Sequence, residues 1–284
     1  MEIINRRQRM FSISRKLRRE NKKVAFVATM GALHAGHISL IKEARQSADV
    51  VIVSIFVNPV QFNDKNDLLK YPRDLTSDAA MLAEYDVDYV FAPEESEIYP
   101  EGFSTYVYVE GVSESLEGAS RPGHFRGVAT VVTILFNTVR PDQAFFGAKD
   151  AQQIAVIKRM TTDLGFDTEI VVVPTVREES GLAMSSRNEN LTPEEREKAA
   201  VIFKGLREAK LAFRSGTRNG SKLIGIVQKA IESEPLARID YVAAVDAETL
   251  EHVEKIEDKE TILSTAVYFG NVRLIDNVVL NRRQ

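Results

Sequence analysis

Apolar and polar positions fall into alternating blocks along the first 175 residues. Val24-Ala25-Phe26-Val27 and Val50-Val51-Ile52-Val53-Ser54-Ile55-Phe56-Val57 are continuous apolar runs, the pattern of strands buried on both faces. Between them Ile38, Leu40, Ile41 and Ala44 recur at helical spacing. Further strands are predicted over residues 87–91, 105–109, 143–146 and 170–173. Helices are predicted over 74–85, over 128–139 and from 150 to about 164. The 128–139 stretch is apolar nearly all round and should be deeply buried. Strand-then-helix order repeated in this way predicts an α/β fold, a Rossmann-like doubly wound parallel sheet with helices on both faces.

The pattern changes after Pro174. Glu178-Glu179-Ser180-Gly181 is polar and reads as a flexible hinge. Thr192-Pro193-Glu194-Glu195 has the form of an N-cap followed by proline at the first helical position. Two helices follow, over about 193–214 and 221–232, then strands near 240–245, 261–269 and 272–274. This is a smaller C-terminal α+β domain, so the expected division is 1–175 and 176–284, with the second domain acting as a lid. Residues 1–19 interleave apolar positions with seven Arg and Lys side chains. They are read as a solvated basic helix packed on the fold, not as a secretory signal or membrane anchor.

At 284 residues, with 44% hydrophobic and 27% charged residues, the chain can bury a large core. No apolar run approaches the roughly 18 residues of a spanning helix. A formal net charge of −4 gives no broad attraction to nucleic acid. The absence of cysteine excludes disulfides, thiolate metal sites and cysteine nucleophiles, and fits a cytoplasmic home. Hence no nucleic-acid partner and no membrane association are expected.

The candidate chemistry begins at Thr29-Met30-Gly31-Ala32-Leu33-His34-Ala35-Gly36-His37, between the first long strand and the following helix. Glycines allow close backbone approach there, and a helix start offers unpaired N–H groups to an anion. His34 and His37, three residues apart, can face one ligand together. A helix-capping role and a zinc site are the alternatives, the latter weak without a third ligand. His34-Ala35-Gly36-His37 resembles the HxGH signature of the nucleotidyltransferase superfamily. With Ser54-Ile55-Phe56-Val57-Asn58-Pro59-Val60-Gln61-Phe62, the chain resembles the pantothenate synthetases, ATP-dependent ligases that join pantoate to β-alanine.

That resemblance implies the remaining roles. Met30 to His37, Gly147, Ala148, Lys149, Asp150, Val176, Met184, Ser185, Ser186 and Arg187 would contact ATP, with His34, His37 and Lys149 catalytic. Lys149 is expected in the first domain, at the carboxyl edge of the sheet. Met184-Ser185-Ser186-Arg187 stands where the superfamily has KMSKS and departs from it in lacking lysine. Asn58, Gln61 and Gln153 would hold pantoate, Phe56, Phe62, Val131, Val132 and Phe146 shaping an apolar pocket. Asp78 is the position favoured for Mg²⁺, although Ser77 and Met81 depart from the acidic and amide residues of some relatives. Ala28 stands where relatives commonly have proline. A homodimer is implied by the family alone. A nucleotidyltransferase making another product and a non-catalytic nucleotide- or RNA-binding module are the rival readings.

Overall fold

The computed structural model describes residues 1–63 and 65–281; side chains of 65–67 are not included in the description. Residue 64, within the loop expected over 58–73, lies outside it. Close contacts divide the chain into two units, residues 1–148 with 156–174, and residues 149–155 with 175–284.

The first unit opens with β1 (Glu2–Ile4), α1 (Arg7–Arg19), β2 (Val24–Thr29), α2 (Ala35–Ser47) and β3 (Val50–Ile55). It continues through α3 (Lys65–Lys70), α4 (Leu75–Ala83), β4 (Tyr89–Phe91), α5 (Glu95–Ile98), α6 (Glu117–Ser120) and α7 (His124–Val139). β5 (Gln143–Gly147), α8 (Ala151–Asp163), whose first turn groups with the second unit, and β6 (Glu169–Val173) complete it. The six strands lie in the order β1-β4-β3-β2-β5-β6, every recorded pairing being parallel.

The central strands β2 and β3 are the continuous apolar runs, and nearly every residue in them is buried. Their core continues into Leu33, Ile38, Leu40, Ile41 and Ala44, the inward face of α2. The chain leaves β2 toward β3 on one side and later returns to place β5 on the other. That reversal is a topological switch point, where open α/β sheets take ligands at their carboxyl ends. Val27 pairs with Phe145, and both strands end two residues later, at Thr29 and Gly147. The turn from Met30 onward therefore starts at the switch point.

Three expectations change here. The N-terminal segment is not all helix: β-branched Ile3 and Ile4 form β1 beside β4, and Ile4 is buried against it. Residues 105–109 form no strand, because their neighbour is the helix α7. Val107 N–H donates to Thr130 Oγ1 at 2.9 Å, and Arg126 stacks 3.9 Å over the Tyr106 ring. The second apolar run ends its ladder at Ile55, after which the backbone turns into a short 3-10 turn, Pro59–Gln61.

The second unit holds α9 (Pro193–Lys198), α10 (Val201–Arg214), α11 (Gly220–Glu232), β7 (Ala237–Asp246), β8 (Thr261–Phe269) and β9 (Val272–Leu280). The strands form an antiparallel sheet in that order. Leu206, Ala209, Phe213, Leu223, Val227 and Ile231 from the helices meet Leu263, Val267 and Leu274 from the sheet in its core. The single helix expected over 193–214 is two. Ile202 N–H reaches Ala199 O, three residues back, which tightens the chain into a turn between α9 and α10. Among the described residues no helix is long and apolar enough to cross a membrane.

Candidate active site

The turn after β2 is built by consuming its own backbone donors. Thr29 Oγ1 donates to Ser54 O at 2.7 Å and accepts from Gly31 N–H at 3.2 Å. Gly31 and Ala32 both take left-handed backbone, φ +81° and +51°. Ala32 N–H and Leu33 N–H then donate to Asp78 Oδ2 and Oδ1, at 3.1 and 2.9 Å. His34 is the N-cap of α2. Its Nδ1 accepts from Gly36 N–H at 3.1 Å, and His37 Nδ1 accepts from His34 N–H at 3.3 Å. This is a capping box with imidazoles in place of the usual hydroxyl and carboxylate.

Those two bonds fix the chemistry of the rings. A backbone N–H can only donate, so each Nδ1 is unprotonated and each proton sits on Nε2. The rings are therefore neutral donors at Nε2 while the cap holds. Their centroids lie 4.2 Å apart at a tilt of 37°, so the pair acts from one place. A Cβ at Gly36 would stand 2.7 Å from His34 Cε1, so a larger residue there would displace the capping ring.

A second cluster of the same unit surrounds Gln61. Asn58 Oδ1 accepts from Val60 N–H at 3.3 Å and from Tyr99 Oη at 2.8 Å. Burial foremost raises the pKa of the Tyr99 hydroxyl, with Tyr106 and Glu95 adding, so it stays a donor. Asn58 Nδ2 donates to Gly127 O at 3.1 Å and to Gln61 Oε1 at 3.0 Å. The two backbone partners settle which end of Asn58 is which, and Asn58 in turn settles Gln61. Gln61 consequently turns its Nε2 donors toward Met30, 3.1 Å from its Sδ, a weak acceptor. Gly127 permits this closeness, since a Cβ on it would meet Gln61 N at 2.7 Å. His124 Nδ1, at 2.8 Å, and Arg121 Nη2, at 3.4 Å, lie on Gln61 O.

The direct contact with substrate expected of Asn58 does not fit its surroundings, since it is 1% exposed and committed on both ends. Its work is to orient Gln61. Tyr99, Gly127 and His124 are not singled out for the site by sequence. Only the glycine next to an apolar helix, and a histidine in a glycine-rich loop, hint at two of them. Gly147 and Ala148 follow at the end of β5, where Ala148 N–H donates to Val173 O at 2.8 Å. Phe56, Val131, Val132 and Phe146 are buried in this unit.

Lys149, Asp150 and Gln153 group with the second unit and not with the first, where Lys149 is expected from sequence. Asn277 Nδ2 donates to Lys149 O at 2.9 Å. Lys149 Nζ lies 3.7 Å from Asp150 Oδ1, its side chain 16% exposed. In the same unit, residues 177–183 form a closed turn. Glu178 N–H donates to Leu182 O and Gly181 N–H to Glu178 O, both at 2.8 Å.

Arg177 makes a two-pronged pair with Asp276, at 2.6 and 3.0 Å, and lies 3.6 Å over the Phe203 ring. Glu178 accepts from Arg196 at 2.9 and 3.0 Å and from Asn188 Nδ2 at 2.7 Å. The expected hinge is thus cross-linked to its own unit. Met184 N–H donates to Val176 O at 3.0 Å, and Ser185 Oγ caps the turn Ser186–Asn190 by accepting from Arg187 N–H. Arg187 is exposed.

Asp78, the position expected to hold Mg²⁺, is already engaged by the backbone of the turn. Both its oxygens serve backbone N–H groups, and among the described residues no three His, Asp or Glu side chains cluster to hold a metal.

A switch-point turn that ends in a histidine-capped helix defines a nucleotide-binding α/β unit of the HxGH kind. Residues 2–279 match the family model described as pantoate-beta-alanine ligase. The chain is 53% identical over 264 residues to the pantothenate synthetase of Carboxydothermus hydrogenoformans, covering 93% of each. It is 50% identical over 280 residues to that of Thermosipho africanus, covering 99% of this chain and all of the other. The crystal structure of pantothenate synthetase from Thermus thermophilus matches with a TM-score of 0.90 at 44% identity, over 98% of this chain and 99% of that one. The ligase of Francisella tularensis, described as complexed with β-γ ATP and β-alanine, matches at 0.80 and 40% identity over 98% and 97%. The chain belongs to the pantoate–β-alanine ligase family.

Proposed function

We propose that this chain uses ATP to condense pantoate with β-alanine, through a bound pantoyl adenylate. A pantoate carboxylate oxygen attacks the α-phosphorus, the bond to the β-phosphate oxygen breaks, and pyrophosphate leaves. The β-alanine nitrogen then attacks the activated carbonyl, the acyl–phosphate bond breaks, and AMP leaves as the amine gives up a proton. No covalent bond to the protein is required.

The observation that carries this reading is the state of the histidine pair. Two neutral imidazoles with protons on Nε2, at the mouth of a switch-point turn, are preorganised donors for the charge that collects on the leaving pyrophosphate. Gln61, turned to present its amide N–H groups, suits an acceptor-rich substrate such as pantoate and leaves its carboxylate nucleophilic. Gln153 shares that task. Lys149, Ser185, Ser186 and Arg187 supply hydroxyls and positive charge for the triphosphate, while Gly147, Ala148, Asp150, Val176 and Met184 complete the ATP contacts. ATP chemistry of this kind draws on Mg²⁺ riding with the phosphates and water, and no step is assigned to a protein-held ion. Cysteine-free composition is compatible with a cytoplasmic homodimer, as the family suggests.

Incubating the purified chain with ATP, pantoate and β-alanine tests the reading. Mass spectrometry should find pantothenate and AMP in equal amounts, with product absent when any one substrate is omitted. ADP in place of AMP would rule out the adenylate route.

A further inference from the structure

Asp78 is 5% exposed, and the reaction as described gives it nothing to do. It sits in the first turn of α4, where Asp74 caps the helix by accepting from Ser77 N–H at 2.9 Å. From there its carboxylate receives two successive backbone N–H groups, one on each oxygen, from Ala32 and Leu33. Successive N–H groups converge in this way only because Gly31 and Ala32 are both left-handed. Such a concavity is an anion-binding nest, and here the anion is the protein's own side chain. Ala32 gains nothing from a left-handed conformation by itself, so the carboxylate is what holds it there. The fit is tight as well: a Cβ on Gly31 would lie 2.8 Å from Asp78 Oδ2 and 3.2 Å from Ile55 Cγ2.

We infer that Asp78 is a positioning residue, which clamps Ala32 and Leu33 so that His34 enters α2 in the geometry that caps the helix and sets both imidazole tautomers. It is not a metal ligand. The inference rests on the reading of this turn as an ATP site, but the clamp itself can be tested without ATP. Leu33 is the residue before the cap, so releasing its N–H frees the chain one residue before the first catalytic ring. A carboxylate near a triphosphate is also repulsive, which makes its burial here costly unless it organises the turn.

The first measurement uses the unaltered protein. Amide exchange at Ala32 and Leu33 should be slow without nucleotide, and equally slow in EDTA and in millimolar Mg²⁺. Fast exchange at both amides in the absence of ligand would overturn the clamp, as would protection that appears only with Mg²⁺.

The second measurement uses Asp78→Asn, which leaves one acceptor oxygen for two N–H donors. Losing a charge-assisted bond of this kind should lower kcat/KM for ATP on the order of tenfold to a hundredfold, with the Mg²⁺ concentration for half-maximal rate unchanged. Removing a negative charge beside ATP would by itself favour binding, so a fall in kcat/KM marks lost positioning. Recovery of the rate by excess Mg²⁺ would make Asp78 a metal ligand and sink the proposal. A variant with lowered thermal stability but wild-type kcat and KM would reduce Asp78 to a structural residue and sink it equally. If the unaltered protein shows the protected amides but makes no pantothenate, the clamp stands and the functional reading fails.

Discussion

The two loops assigned to ATP are built on opposite principles. The turn after β2 satisfies its backbone almost entirely from nearby: Thr29 serves Gly31, His34 serves Gly36, and His37 serves His34. Asp78 reaches in from farther along the chain, as does Ser54, whose carbonyl accepts from Thr29. The segment from Val176 to Asn190 is instead pinned by partners remote in sequence, Arg177 by Asp276 and Glu178 by Arg196. One loop is ordered by turn and capping bonds that act over two or three residues. The other is ordered by charges that must find each other across the fold of their unit. A run of polar residues is therefore no measure of looseness; what matters is whether the charges are paired with one another.

The largest expected effect tests the second loop. Asp276 keeps 4% of its side-chain surface exposed and Arg177 17%, so Arg177→Ala would strand a carboxylate in the interior. Breaking a buried pair by removing one partner costs about 3–5 kcal/mol. Denaturant unfolding should show a loss of that size, and proteolysis near Glu179 should accelerate. A loss under about 1 kcal/mol would mean that water reaches Asp276, and the contrast between the loops would fail.

The next effect falls mainly on chemistry. His37→Ala removes one preorganised donor, and turnover should fall by a factor on the order of 10² to 10³. The unfolding free energy should fall only by the loss of one cap bond to His34 N–H, about 0.5–2 kcal/mol, because His37 lies at the mouth of the sheet and outside its core. Near-normal formation of AMP and pyrophosphate by this variant would remove His37 from the mechanism.

How far each loop is legible in the sequence follows from the same difference. The βαβ order, the buried strands and the histidine-bearing turn rest on local patterns, so Val24–Thr29, Val50–Ile55 and His34 can be read from the chain. Gln61 is legible as a residue but its polarity is not, since that depends on Asn58, on Tyr99 and on the carbonyl of Gly127, which lies 69 residues from Asn58. Glu178-Glu179-Ser180-Gly181 reads as mobile because its partners, Arg196 and Arg177's Asp276, lie outside any local window. The surroundings of Asp78 are hidden from the sequence for a related reason. An acidic residue near a nucleotide turn suggests a metal, whereas two backbone donors, aligned by left-handed Gly31 and Ala32, already claim it.

A smaller effect isolates the local principle. Thr29→Val keeps the shape of a side chain that is 8% exposed but removes its bonds to Ser54 O and from Gly31 N–H. A buried donor left without its partner costs about 1–3 kcal/mol. The expected result is faster amide exchange at Gly31, with the Arg177 segment unchanged. If exchange also rises over residues 177–183, the two loops are not independently ordered.

The smallest effect separates charge from hydrogen bonding in the second loop. Burial by itself would raise the pKa of Glu178, but the hydrogen bonds from Arg196 and Asn188, and then the charge of Arg196, outweigh it and leave the pKa lowered. A carboxylate with a depressed folded pKa adds stability that is present above its unfolded value. That contribution is lost as pH falls through the folded value, so the window lies below about 4.3. In Glu178→Gln the amide oxygen still accepts from Asn188, while the charged pair with half-exposed Arg196 is gone. The parent should exceed the variant by about 0.5–1 kcal/mol at neutral pH, and the gap should close as the buffer is taken into the acid window. Asp246 also has a lowered pKa: burial would raise it, but backbone N–H groups of Thr249 and Glu248 and the charge of Lys259 prevail. Both proteins carry Asp246, so its contribution cancels in the difference between the two curves. A gap that stays constant down to pH 3 would mean that Glu178 acts through shape and hydrogen bonding, and that its charge has no part in holding the loop.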